Sequence, residues 1–118
     1  MSKLVFDLSK EGLLSVFKPY QIAVMHGFWD KEEPMKSRAV YDYLQDIGGE
    51  AAMSRATVIN FLNAMVDEGF LDYEEVTGKG GYHRVYRLNV LSRTERVFRN
   101  EIRLRFTDRL RNFWKSED

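Results

Sequence analysis

The sequence predicts a mainly α fold with a small β-hairpin, an α+β class, and three observations predict it. Residues 53–88 pass from a short amphipathic helix through a glycine into a strand, a glycine-rich tip and a second strand. Two earlier segments carry apolar residues at helical spacing, separated by polar or glycine-containing breaks. An apolar stripe then recurs every four positions at Phe98, Ile102, Phe106, Leu110 and Trp114. Helix, short break, helix and hairpin is the order of a winged helix-turn-helix, here followed by one long helix. We divide the chain into a winged helix-turn-helix domain at 1–90 and a C-terminal dimerisation helix at 91–118.

The 118 residues suffice for one modest core, and 44% apolar with 14% aromatic content is that of a folding chain. With no cysteine there are no disulfides and no thiolate metal sites. No apolar run approaches the ~20 residues that span a bilayer. Met1 to Leu8 lacks the basic start and apolar core of a signal peptide, so a cytoplasmic location is expected. Net charge is zero but polarised. Residues 1–75 hold 7 Lys/Arg and 13 Asp/Glu, whereas residues 76–118 hold 11 and 5. A zero sum argues against nucleic acid, and the basic C-terminal third weakens that objection.

In chain order, Lys3 to Leu8 alternates and reads as a short strand or an arm over the core. Ser9 to Phe17 offers a helical turn or two. Pro19 suits the first position of a helix, where the missing amide hydrogen is no loss. Ile22, Val24, Met25, Phe28 and Trp29 give that helix a broad apolar face ending near Trp29. Asp30 to Pro34 reads as a solvated loop rather than an acidic metal cluster. After a short extended piece at Met35-Lys36, Ser37 is a capping candidate for a helix to Ile47, with Val40, Leu44 and Ile47 inward. Gly48-Gly49 stops it. Ser54 caps the next helix, which buries Val58, Phe61, Leu62, Met65 and Val66, turns Ala56, Asn60, Asn63 and Asp67 outward, and stops at Gly69.

The hairpin runs from Phe70 to Val76, turns at Thr77-Gly78-Lys79-Gly80-Gly81, and returns from Tyr82 to Leu88. Glu74 and Glu75 are placed to pair across it with Arg84 or Arg87. Ser92-Arg93-Thr94-Glu95 has the spacing of a capping box and opens a helix to about Trp114.

Binding residues follow from this placement. On the helix after Ser54, Arg55 has the chemistry to reach guanine, and Asn60 and Asn63 to reach adenine edges. Ser54 and Thr57, with the helix N-terminal amides, suit phosphate, and Ser37 lies on the neighbouring helix start. The alternative is that these are only caps and solvated positions. Lys79, His83 and Arg84 belong to the wing. Its tip lacks the G-x-x-x-x-G-K-[ST] spacing of a nucleotide loop and does not precede a helix; a mobile hairpin tip is the plainer alternative. The terminal stripe of Phe98, Ile102, Phe106, Leu110, Phe113 and Trp114 closes a dimer, packs on its own domain, or lies on a membrane; dimerisation is the reading we adopt. The arginines around it face solvent or phosphate. His26 and His83 are the only histidines, with no metal-ligand spacing and no nucleophile motif. No metal, cofactor or catalytic residue is expected.

Val24-Met25 followed by Trp29, the run S-R-A-V-Y-D-Y-L from Ser37 to Leu44, Ser54-Arg55-Ala56-Thr57-Val58 with Phe61-Leu62, and Asp67-Glu68-Gly69-Phe70-Leu71 resemble the penicillinase-repressor family over residues 20–88. The resemblance implies a homodimeric repressor on a palindromic operator, with contacts at Ser54, Arg55, Thr57 and Asn60. The expected partners are double-stranded DNA and a second copy of the chain, without a membrane; no small-molecule effector is legible. A MarR-type ligand-responsive regulator and a winged-helix protein–protein module are the rival readings.

Overall fold

The helices that end at Lys31, Ile47 and Asp67 are each closed by the next residue, whose amide bonds the carbonyl four positions back. The computed structural model describes residues 4–116, with side chains to residue 112. A 3₁₀ turn at Gly12–Ser15 leads into α1, Pro19–Lys31. Pro19 is its first residue, and the Lys18 amide donates to Gln21 Oε1 at 2.9 Å. α1 runs two residues beyond the expected Trp29. Glu32 ends it in the left-handed region at φ +53°, its amide bonded to the Phe28 carbonyl at 3.0 Å.

β1, Met35–Lys36, passes directly into α2, Ser37–Ile47. Ser37 is therefore not the cap that its sequence position suggests. The capping place falls to Lys36, which is paired with Val85 in the sheet. Val40 and Leu44 are buried, but Ile47, expected inward, is 54% exposed at the helix end. α1 and α2 approach closely at Gly27, where a Cβ would come within 3.0 Å of the Tyr43 ring.

α3, Arg55–Asp67, begins as expected. Ser54 Oγ accepts from the Thr57 amide at 3.2 Å. At its far end Gly69 takes φ +83°, the Gly69 amide bonds the Val66 carbonyl and the Phe70 amide bonds that of Met65. This paired closure needs the positive φ that glycine adopts without strain. β2, Leu71–Gly78, and β3, Gly81–Leu88, are longer than expected and leave only Lys79-Gly80 at the tip. The three strands form an antiparallel sheet in the order β1-β3-β2.

α4, Glu95–Ser116, is capped by Thr94, whose Oγ1 accepts from the Val97 amide at 3.1 Å. Ser92, expected to cap it, is instead fully buried. Its hydroxyl donates to the Phe70 carbonyl and accepts from the Asn89 amide, while its own carbonyl accepts from Trp29 Nε1 at 2.7 Å. A buried hydroxyl with partners at hand stays in that network rather than serving a helix end in water.

The core joins Val24, Met25 and Phe28 to Val40, Leu44, Val58, Leu62, Met65, Phe70 and Leu71, and it includes Phe98. Phe98 is 1% exposed, with ring centroids of Phe70, Phe17 and Trp29 at 4.7, 5.5 and 5.6 Å. Ile102 is buried in the same cluster. These two residues, expected at a dimer interface, are consumed by the chain's own core. The reason is that the arm at residues 4–17 and the start of β2 give the first turns of α4 an apolar seat. Phe106 is half-buried beside Phe6, with centroids 5.0 Å apart, and Leu110 is 42% exposed. Phe113 and Trp114 lie outside the residues whose side chains are described.

Arg105, expected on a solvated or phosphate-facing side, is partly buried. Its guanidinium bonds Glu68 Oε1 at 2.9 Å, Glu101 Oε1 at 3.1 Å and the Glu68 carbonyl at 2.7 Å, and lies 4.2 Å from the Phe70 ring centre. It ties α4 to the end of α3.

Candidate nucleic-acid interface

α3 buries one face and leaves the opposite one open. Val58, Phe61, Leu62 and Met65 are in the core, while Arg55, Ala56, Asn60, Ala64 and Asp67 are exposed. Beside this open face runs a groove of about 560 Å³ between the start of α2, α3 and the wing. Its walls carry Lys36, Arg38, Arg55 and Arg84, together with His83, and no carboxylate. Four cations on one concave surface, unopposed by lining acids, raise the local concentration of polyanions and speed their arrival.

The cations differ in how they are held. Arg55 makes no ion pair among the described residues; its Nη2 is 3.5 Å from Ser37 Oγ, at the outer limit of a hydrogen bond. Arg38 pairs with Asp42 at 3.2 Å on the surface, a contact worth little in water. Arg84 is the most constrained. It lies 4.1 Å over the Tyr73 ring, and its Nη1 donates to Asn63 Oδ1 at 3.1 Å. Glu75 stands opposite Arg84 in the strand register, but the cross-strand ion pair that forms is Arg87 with Glu74 at 3.3 Å.

Asn63 departs from its expected role. Its Oδ1 also accepts the Tyr86 hydroxyl at 2.7 Å, so its carbonyl oxygen is occupied twice from within the chain. In this structure it braces α3 against the wing through its carbonyl oxygen. Burial pushes the Tyr86 hydroxyl above its ordinary value of 10.0, partly opposed by Arg84. It therefore stays protonated and able to donate.

The remaining expected residues divide in two. Ser54 and Thr57 are largely spent on each other, with hydroxyl oxygens 3.0 Å apart in addition to the cap. Asn60 is exposed, and Lys79 is exposed at the wing tip. Lys36, Arg38, Ile59, Tyr82 and Tyr86 also line the groove, and sequence reasoning passed them over. Lys36 and Arg38 flank Ser37, and that adjacency was the one available signal. The fold brings them to the wing only because β1 pairs with β3.

His26 lies away from this surface. Its Nε2 is 3.3 Å from Glu95 and its ring stands edge-on to Trp29 at 5.2 Å. Among the described residues no cluster of His, Asp or Glu is arranged to hold a metal, and no helix is long and apolar enough to cross a membrane.

No protein-family model matches this chain, and no curated protein sequence does. Solved structures do match. A protein of Methanosarcina mazei, described as a possible transcriptional regulator, superposes with TM-score 0.59 at 18% identity, over 85% of this chain and 78% of its own. One from Thermoplasma acidophilum, described in similar terms, gives 0.56 at 15% identity over 84% and 90%. A PadR-like transcription factor of Bacteroides fragilis gives 0.53 at 19% identity over 84% and 87%. The chain has the fold of winged-helix regulators. The resemblance to penicillinase repressors holds only at that coarser level, since none of these three neighbours is described as a penicillinase repressor.

Proposed function

We propose that this protein is a transcriptional regulator that binds double-stranded DNA in a sequence-specific manner and acts as a homodimeric repressor on a palindromic operator. The observation that carries the reading is the acid-free cationic groove running beside the uncovered outer face of α3. α3 enters the major groove, where Arg55 and Asn60 meet base edges. Lys36, Arg38 and Lys79 contact phosphates on either side, and Arg84 holds the wing. Two-fold symmetry then separates half-sites by about one helical turn, ~34 Å.

The dimer contact falls on the distal half of α4. Its proximal stripe residues Phe98 and Ile102 are already buried, while Leu110 is 42% exposed. Binding rather than chemistry is the mechanism, and no metal or cofactor takes part in it.

Fluorescence anisotropy with labelled genomic duplexes at 50–300 mM salt tests the reading. Neutralising roughly three phosphates per protomer gives a slope of log K on log salt near −2.7 per protomer. Arg55→Ala relaxes sequence preference and leaves most of the salt slope in place. Absence of duplex binding at low salt, or binding indifferent to salt, overturns the proposal.

A further inference from the structure

On the side away from the wing, the N-terminal arm does not close completely over α4. A cleft of about 260 Å³ remains between them. Its floor is apolar, built from Phe6, Leu13, Ile102 and Phe106, and its rim carries Lys10, Arg99 and Arg103 with no lining carboxylate. Two acids lie along the arm outside the cleft lining: Glu11, next to Lys10, and Asp7, whose Oδ1 accepts from the Ser9 amide and hydroxyl at 3.0 and 2.6 Å and whose charge is also stabilised by Lys10. Arg99 faces Glu95 at 3.6 Å, a loose surface contact, and neither Lys10 nor Arg103 forms an ion pair among the described residues.

We propose that this cleft binds a small amphipathic monocarboxylate. An apolar floor beneath a cationic rim fits one chemistry well: a short hydrocarbon body ending in a single anionic head. The volume lies just under the ~300 Å³ lower bound common for ligand clefts, which limits the body to one ring or a chain of roughly eight carbons. The body covers the Phe6 and Phe106 rings and part of Leu8, which is now 76% exposed. The head meets Arg103 and Lys10 from opposite walls. A neutral ligand of the same shape gains the floor but not the rim. The arm carries Phe6 and Lys10, while α4 carries Ile102, Phe106 and Arg103, so an occupant bridges the two and draws the arm onto the helix.

The test contains no DNA, so its outcome is separate from that of the DNA reading. Octanoate and octanamide are titrated into the full chain by isothermal calorimetry, with NMR shifts as a second readout. The expected result is saturable octanoate binding, about tenfold tighter than octanamide, the scale of a charge-assisted hydrogen bond. Arg103→Glu, and separately Lys10→Glu, weaken octanoate by about tenfold or more and leave octanamide unchanged. Both positions are exposed, so the melting temperature does not move. Equal affinity for acid and amide, an unaffected Arg103→Glu and Lys10→Glu pair, or no saturable octanoate binding to the parent chain overturns the proposal.

Discussion

Asn63→Ala separates two roles that its sequence position leaves confounded. In the structure Asn63 Oδ1 accepts from the Tyr86 hydroxyl at 2.7 Å and from Arg84 at 3.1 Å. Tyr86 is 2% exposed, whereas Arg84 is exposed and also rests on Tyr73. Removing the amide thus strands one buried hydroxyl, at a cost of about 1–3 kcal/mol, and costs little on the arginine side, where water replaces the lost bond. Tyr86→Phe removes the donor and leaves Asn63 Oδ1 bonded to Arg84, so it costs only ~1 kcal/mol. The double variant leaves nothing stranded and is less destabilised than the two single costs added, by about 1 kcal/mol. Urea unfolding of the four proteins at neutral pH measures this cycle. Anisotropy on the preferred duplex, run in parallel, shows similar sequence preference for Asn63→Ala, because its carbonyl oxygen is already engaged. An Asn63→Ala variant of parental stability with altered base preference refutes the strut and restores Asn63 as a reader.

Four further outcomes follow from the packing. Phe98→Ala empties the space between three aromatic rings and costs ~3–5 kcal/mol, seen as a collapse of the thermal transition; a stable fold with altered oligomer mass would reassign Phe98 to an interface. Leu110→Glu leaves monomer stability within about 0.5 kcal/mol and halves the mass in light scattering, an unchanged mass rejecting the distal α4 contact. Glu32→Gly relieves a left-handed residue costing roughly 1–2 kcal/mol, less the chain entropy of glycine, and raises the melting temperature by a few degrees; a fall argues that Glu32 has a compensating role. Tyr86 has its folded-state value raised above 10.0 by burial, so its contribution to stability is complete below pH 10 and is lost as pH rises through the folded value. Urea midpoints from pH 8 to 11 fall less steeply in Tyr86→Phe than in the parent, and equal slopes contradict the buried donor.

What the sequence disclosed follows from the range of the interactions that decide each feature. Ser54 as a cap and Gly69 as a stop are set by neighbours within a few positions, and they stand as expected, while the turn expected over residues 77–81 shortens to Lys79-Gly80. Ser92 and Thr94 compete for one helix start only two residues apart. The winner is chosen by the Phe70 carbonyl, 22 positions upstream, which no local rule contains. Lys36 and Arg38 join the wing through a two-residue strand whose pairing with Tyr86 and Val85 spans some fifty positions. Asn63 has the outward helical angle of a reader, and only the return of β3 places Tyr86 and Arg84 against it.

The four-residue stripe of α4 is the sharpest case. That spacing states that one face of the helix is covered, and it is silent on what covers it. Phe98 and Ile102 meet the chain's own arm and sheet, while Leu110, 42% exposed, does not. Arg105 then fixes the consequence. Its pairs with Glu68 and Glu101 are partly buried, and breaking them costs up to roughly 3 kcal/mol, which holds the proximal half of α4 against the Glu68 end of α3. In the proposed dimer, geometry set at Leu110 therefore passes through one stiff helix to the end of α3, and half-site spacing is governed by where the distal helices cross, with no hinge between.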